Sequence, residues 1–147
     1  MQVRYLNLPT IPLDLIQEEI SILKSNTDPS NRVFPNYKWT SASKTKIENW
    51  CNANISENLV WGLQVMSGDL ILHVDAPTKI KISYIIDTGG NNVITEFYKD
   101  FEIKPENLLD KICIEPFRWH ILNVNTPHRI IGVDQGKTRI SLTGRIF

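Results

Sequence analysis

Apolar positions first recur along this chain with a helical step and later alternate with polar ones. Between Pro12 and Lys24, Leu13, Ile16, Ile20 and Leu23 follow at steps of three, four and three, which predicts one buried stripe on an amphipathic helix. Thr10 and Pro12 suit its start, and Asp14, Glu18 and Glu19 lie in the early turns where the helix dipole favours acid. A polar stretch follows, with Asp28-Pro29-Ser30-Asn31 as a turn cluster. A second helix is expected from about Ser43 to Asn54, with Ile47, Trp50 and Cys51 inward and Ser41 or Ser43 as its cap. The intervening loop, Ser25 to Thr40, carries Phe34, Tyr37 and Trp39, which suits either a cover over a site or a loop anchored by its own side chains.

From Asn58 the period shortens to two. Runs rich in Val, Ile, Tyr and Trp alternate with Gly, Asn, Asp and Pro turns, which predicts strands. They are expected near Leu59–Met66, Leu70–Val74, Lys79–Ile86, Val93–Tyr98, Lys111–Glu115, Trp119–Val124, His128–Val133 and Thr138–Phe147. Short strands following two helices point to a mostly β chain of the α+β class. The expected form is a double-sheet jelly roll with the helices bracing one sheet. A length of 147 residues suits a single domain over 1–147, with 1–57 as helical support and loop and 58–147 as the jelly-roll core.

Composition narrows the function. Sixteen basic residues balance sixteen acidic ones, so no broad electrostatic footprint for nucleic acid or an acidic membrane is expected. No apolar run approaches the ~20 residues that span a bilayer. No charged-then-apolar leader opens the chain, and a reducing cytoplasm is the expected compartment. Cys51 and Cys113 are expected to be small buried apolar residues rather than a redox or metal pair.

The chemistry gathers in three places. In His73-Val74-Asp75, positions i and i+2 of a strand project from one face, so an imidazole and a carboxylate point together. On this count Ile71, His73 and Asp75 share a face, and Leu70, Leu72 and Val74 take the other. His128 follows fifty-five residues later, enough chain for four or five strands to leave a sheet and return beside the first. Two histidines and one carboxylate make the facial triad of non-haem iron(II) oxygenases, which leaves coordination positions open. In the last strand, Arg139, Ser141, Thr143 and Arg145 alternate with Ile140, Leu142 and Ile146. That polar side is either solvated or turned into a barrel mouth, where Arg139 would be a buried cation seeking an anion and Ser141 a further donor. Across the Asp134–Lys137 turn, Arg139 is expected on the strand neighbouring His128. His120 reads as a structural or surface histidine.

The order His-x-Asp, distal His, then Arg-x-Ser resembles the iron(II)/2-oxoglutarate-dependent dioxygenase superfamily. The text His73-Val74-Asp75-Ala76-Pro77, then a strand with Tyr84, Gly89-Gly90 and Val93–Tyr98, is similar to its prolyl-hydroxylase-like branch. The resemblance covers about residues 59–147. It implies a double-stranded β-helix with iron, Fe(II), held by His73, Asp75 and His128. It also implies that Arg139 and Ser141 hold the distal carboxylate of 2-oxoglutarate as co-substrate. Tyr84 is the nearest candidate for a hydroxyl on that co-substrate, although its parity with Ile80 and Ile82 equally suits a core tyrosine. The implied partners are 2-oxoglutarate, dioxygen and an unidentified primary substrate, a peptide or small molecule. The implied reaction is hydroxylation coupled to oxidative decarboxylation of 2-oxoglutarate to succinate. Two other readings remain: a non-enzymatic jelly-roll binding module, and a cupin-like metalloenzyme that does not use 2-oxoglutarate.

Overall fold

In the computed structural model, residues 1–25 and 36–147 are described. They form β1 (Val3–Tyr5), α1 (Leu13–Ser25), β2 (Tyr37–Ser41), α2 (Lys46–Asn54), β3 (Val60–Met66), β4 (Leu70–His73), β5 (Ile80–Asp87), β6 (Ile94–Tyr98), β7 (Leu108–Ile112), β8 (Trp119–Leu122), β9 (His128–Ile131) and β10 (Arg139–Ile146). One sheet has the order β1-β8-β5-β10-β3-β2 and the other β4-β9-β6-β7. Every pairing is antiparallel.

The last eight strands pair as nested partners: β3 with β10, β4 with β9, β5 with β8 and β6 with β7. The chain is in effect one long hairpin, with its tip at β6–β7, wound so that its pairs fall alternately in two facing sheets. That is a jelly roll, also described as a double-stranded β-helix. The winding encloses an inner face, and side-chain alternation decides what points into it.

On the outer face of the larger sheet, Trp61, Leu63, Ile82, Tyr84, Trp119, Ile140 and Leu142 pack against Ile11, Ile16, Ile47 and Cys51. Each such burial stabilises by roughly 1.5–3 kcal/mol. The helices therefore brace this sheet. Thr45 caps α2, its side chain accepting from the Glu48 amide at 3.1 Å, so the helix starts later than the earlier serines predict. The carboxylate of Glu19 in α1 accepts the Lys46 amide at 2.8 Å, which ties the two helices together.

Several expectations are corrected. Ile16 and Ile20 of the expected stripe pack into the core with Leu15 beside them, but Leu13, at the start of α1, is exposed. Residues Tyr37–Ser41, expected in the aromatic loop, form an edge strand on β3. Asp28-Pro29-Ser30-Asn31 and Phe34 lie outside the described residues. Strand β7 begins earlier than expected because the backbone turns at Pro105–Asn107 and pairs at once with β6. Both cysteines are free, but Cys113 is exposed and only Cys51 is buried, burial pushing its thiol up to about 12. No described helix is long and apolar enough to cross a membrane.

Candidate metal centre

Strands β4 and β9 are neighbours, and their register sets His73 directly opposite His128. The ring centroids are 4.4 Å apart. Asp75 follows just after the end of β4. Its Oδ1 lies 3.0 Å from His73 Nε2 and 3.4 Å from His128 Nε2. The three ligand atoms converge within 4.8 Å of one another.

The convergence is set up by the backbone. His73 Nδ1 lies 2.6 Å from the Ile71 carbonyl and His128 Nδ1 lies 2.8 Å from the Thr126 carbonyl. A carbonyl only accepts, so each Nδ1 carries the hydrogen and each Nε2 is left facing Asp75. Two imidazole nitrogens and a carboxylate oxygen that meet in this way can hold a metal ion between them. The donor set and the fixed tautomers suit a divalent metal of the iron or zinc type.

The expected parity of β4 fails at one point. A register irregularity lies between Leu70 and His73, and it turns Leu70 inward while Ile71 is 60% exposed. Leu70 and His73 thus line the same interior, and Ile71 does not accompany them. Asp75 reaches the site from a turn rather than from the strand.

Lys81 on β5 was not singled out by the sequence. It is buried, and its Nζ lies 3.1 Å from Asp75 Oδ2. Burial alone would raise the Asp75 carboxyl, but the adjacent Lys81 ammonium, joined by the two imidazoles whenever they are protonated, outweighs it and holds it far down. Burial lowers Lys81, partly opposed by Asp75. One carboxylate oxygen is therefore engaged by lysine and the other is presented to both histidines.

The polar side of β10 turns inward. Arg139 and Thr143 are buried, at 4% and 0% exposure. Arg139 is not on a strand neighbouring His128, because β9 and β10 lie in different sheets. It faces the histidines across the interior, where His73, His128, Arg139 and Ser141 line one cavity. Its Nη1 donates to the Thr88 carbonyl at 3.1 Å, and burial lowers its guanidinium to about 10. No carboxylate among the described residues pairs with it. Ser83 and Thr95 also line this cavity, and their hydroxyl oxygens are buried without a hydrogen-bond partner.

Tyr84 is not part of the site. It belongs to the helix-facing side of β5 and stacks near Trp119 at 4.9 Å. His120, read as structural or surface, is buried at 1% exposure and lines the cavity without joining the His73–Asp75–His128 cluster. Burial lowers its imidazole to about 4, helped by Lys81 and Arg139. A signal for Lys81 and Ser83 was present in the sequence, since β5 sets Ile80, Ile82, Tyr84 and Ile86 on one side and Lys81, Ser83 and Asp87 on the other; β8, where His120 shares its face with Leu122, offered none.

No known protein family's sequence pattern matches the chain, and no curated protein is similar to it in sequence. Among solved structures, the backbone is similar to peruvianin-I, a cysteine peptidase from Thevetia peruviana latex, at 13% identity over 80% of this chain and 66% of that one, TM-score 0.48. It is similar to a point mutant of Bacillus subtilis oxalate decarboxylase at 9% identity over 74% of this chain, TM-score 0.45, and spans 25% of that enzyme's length. It is also similar to hydroxypropylphosphonic acid epoxidase from S. wedmorenis at 10% identity, over 80% of this chain and 56% of that one, TM-score 0.40. Similarity at this level assigns no role to any residue.

Proposed function

We propose that the protein is a non-haem iron(II)- and 2-oxoglutarate-dependent oxygenase that hydroxylates its primary substrate. His73, Asp75 and His128 are its metal ligands, and Arg139 with Ser141 anchors the distal carboxylate of 2-oxoglutarate. The observation that carries this reading is the pairing of two features across one cavity. A two-histidine, one-carboxylate cluster stands on one side, and a buried guanidinium with no carboxylate partner among the described residues stands on the other.

An unpaired cation in the interior costs several kcal/mol, and a diacid reaching from the metal to Arg139 offsets that cost. Guanidinium takes carboxylate through two parallel donors. The orphaned hydroxyls of Ser83 and Thr95 gain partners from the same guest. Lys81 holds Asp75 Oδ2 and leaves Oδ1 as the ligand atom, so the carboxylate binds through one oxygen and positions stay open. The Ile71 and Thr126 carbonyls keep both rings oriented. Iron(II) held there supplies the activation of dioxygen that couples conversion of 2-oxoglutarate to succinate and carbon dioxide with insertion of the second oxygen atom into a substrate C–H bond.

One observation favours a second reading. The cavity between the histidines and Arg139 is about 30 Å³, room for one or two waters rather than a five-carbon diacid. A cupin-like metalloenzyme that does not use 2-oxoglutarate needs no movement there, whereas the oxygenase needs side chains such as Leu70 or Ile130 to yield.

Anaerobic titration separates the two. Iron(II) binds one per chain under both readings. Adding 2-oxoglutarate produces a weak visible charge-transfer band, and aerobic incubation yields succinate, only under the first. Arg139→Gln is expected to keep the metal and lose the band. A wild-type protein that takes up iron but shows no band at millimolar 2-oxoglutarate leaves the second reading standing.

A further inference from the structure

A second cavity opens on the other side of Asp75. It measures about 150 Å³ and is lined among others by Tyr37, Gln64, Asp75, Lys81, Arg145 and Phe147. Its size suits a molecule of some six to ten heavy atoms rather than a folded protein surface.

Two cations meet in its wall. Arg145 of β10 is the direct cross-strand partner of Lys81 of β5, and both line the cavity. Like charges placed opposite each other on one face of a sheet destabilise it. Lys81 is engaged by Asp75 at 3.1 Å. Arg145 has no carboxylate partner among the described residues. Its Nη2 donates to the Tyr37 hydroxyl at 3.1 Å, while its Nε is buried with no hydrogen-bond partner. A buried donor left in this way costs about 1–3 kcal/mol. Among the described residues, Asp75 supplies the one side-chain carboxylate of the wall, and it is already shared between Lys81 and the two histidines. The described side chains of the wall therefore carry one more positive charge than negative before any metal is counted.

We propose that this cavity holds the primary substrate and that the substrate is a small organic carboxylate, its carboxylate seated on Arg145 and its carbon skeleton directed toward the His73–Asp75–His128 cluster. The anion accepts from Nε, separates Arg145 from Lys81 electrostatically, and meets Gln64 on its flank. A planar carboxylate matches the edge of one guanidinium. The apolar remainder lies against Leu70 and Phe147. Calling the guest a substrate rests on the oxygenase reading; the anion site itself does not depend on the metal.

The test uses the whole chain loaded with manganese(II) and 2-oxoglutarate. Benzoate and benzamide, then butyrate and butyramide, are titrated while the relaxation of their protons by manganese is followed. Each acid is expected to bind at least tenfold tighter than its amide. Arg145→Gln removes that preference and Arg145→Lys restores part of it. Arg139→Gln keeps the preference while losing 2-oxoglutarate. Equal binding of acid and amide overturns the proposal. So does an unchanged preference in Arg145→Gln, or loss of the preference in Arg139→Gln, which would place the acid in the co-substrate's position. If manganese does not bind, thermal shifts of the metal-free wild type and Arg145→Gln read the same preference. Its presence there upholds the anion site while the oxygenase reading falls, and its absence overturns both.

Discussion

His73 and His128 stand directly opposite each other on adjacent antiparallel strands, with ring centroids 4.4 Å apart. Each ring is turned by a carbonyl two residues before it in the chain, so the two Nε2 atoms converge without help from any third strand. Replacing either by alanine removes a ligand and leaves the other ring in place. At a free iron(II) or manganese(II) concentration of a hundred to a thousand times the dissociation constant, the wild type gains about 3–4 kcal/mol of stability. His128→Ala is expected to lose nearly all of that gain, as read by thermal unfolding with and without metal. An undiminished gain would falsify the assignment of the site.

Lys81→Met tests the partner of Asp75. Without metal the change takes from the buried Asp75 carboxylate its ammonium partner and leaves only the two imidazoles beside it, so the apo protein is expected to lose about 3 kcal/mol. With metal the outcome reverses in sign. A neighbouring cation has been removed from beside a divalent ion, and Coulomb repulsion between them vanishes. The stabilisation by manganese, measured as the difference between metal-loaded and metal-free unfolding, is therefore expected to be larger in Lys81→Met than in wild type. A smaller difference would show that orientation of Asp75 by lysine outweighs charge.

His120 gives a pH dependence. Burial holds its imidazole at about 4 in the folded chain, against an ordinary value of 6.5. Above 6.5 the ring is neutral in both states and contributes no pH dependence. As pH falls from 6.5 toward 4, the unfolded chain takes up a proton that the folded chain does not, and stability drops by up to ~3 kcal/mol. His120→Gln lacks this linkage. Urea unfolding at pH 8 and pH 4.5 is expected to show the stability difference between wild type and variant narrowing by about 2 kcal/mol at the lower pH. A constant difference would mean that the ring takes up its proton at the same pH in the folded and the unfolded chain.

Gly89 supports Arg139 from behind. Its φ is +79°, and a Cβ there would lie 2.9 Å from the Arg139 amide nitrogen and 3.0 Å from its Cβ. Gly89→Ala must both adopt a left-handed backbone and push β10 away. The expected cost is about 1–3 kcal/mol in urea unfolding, together with a several-fold weaker affinity for 2-oxoglutarate and unchanged metal binding. Retention of full 2-oxoglutarate affinity would detach Arg139 from the co-substrate.

The chain's own text determined much of this protein. Alternation placed β3 to β6 and β8 to β10 within a residue or two of where they lie. His73 and Asp75 stood out in the sequence because an imidazole and a carboxylate lie two residues apart, whereas His128 and Arg139 carry no local mark and are placed by the pairing of β4 with β9 and by the facing of the two sheets. Which face of each strand points inward was not legible. Both faces of the larger sheet exclude water, one under the helices and one inside the roll, so hydrophobicity alone could not say that Tyr84 faces the helices and Lys81 the cavity. The irregularity at Leu70–His73 shifted parity in a way that no residue type announces. The placing of Lys81 opposite Arg145, and of Arg139 across the interior from His128, arises from pairings between strands far apart in sequence. Only the winding of the two sheets brings those strands together.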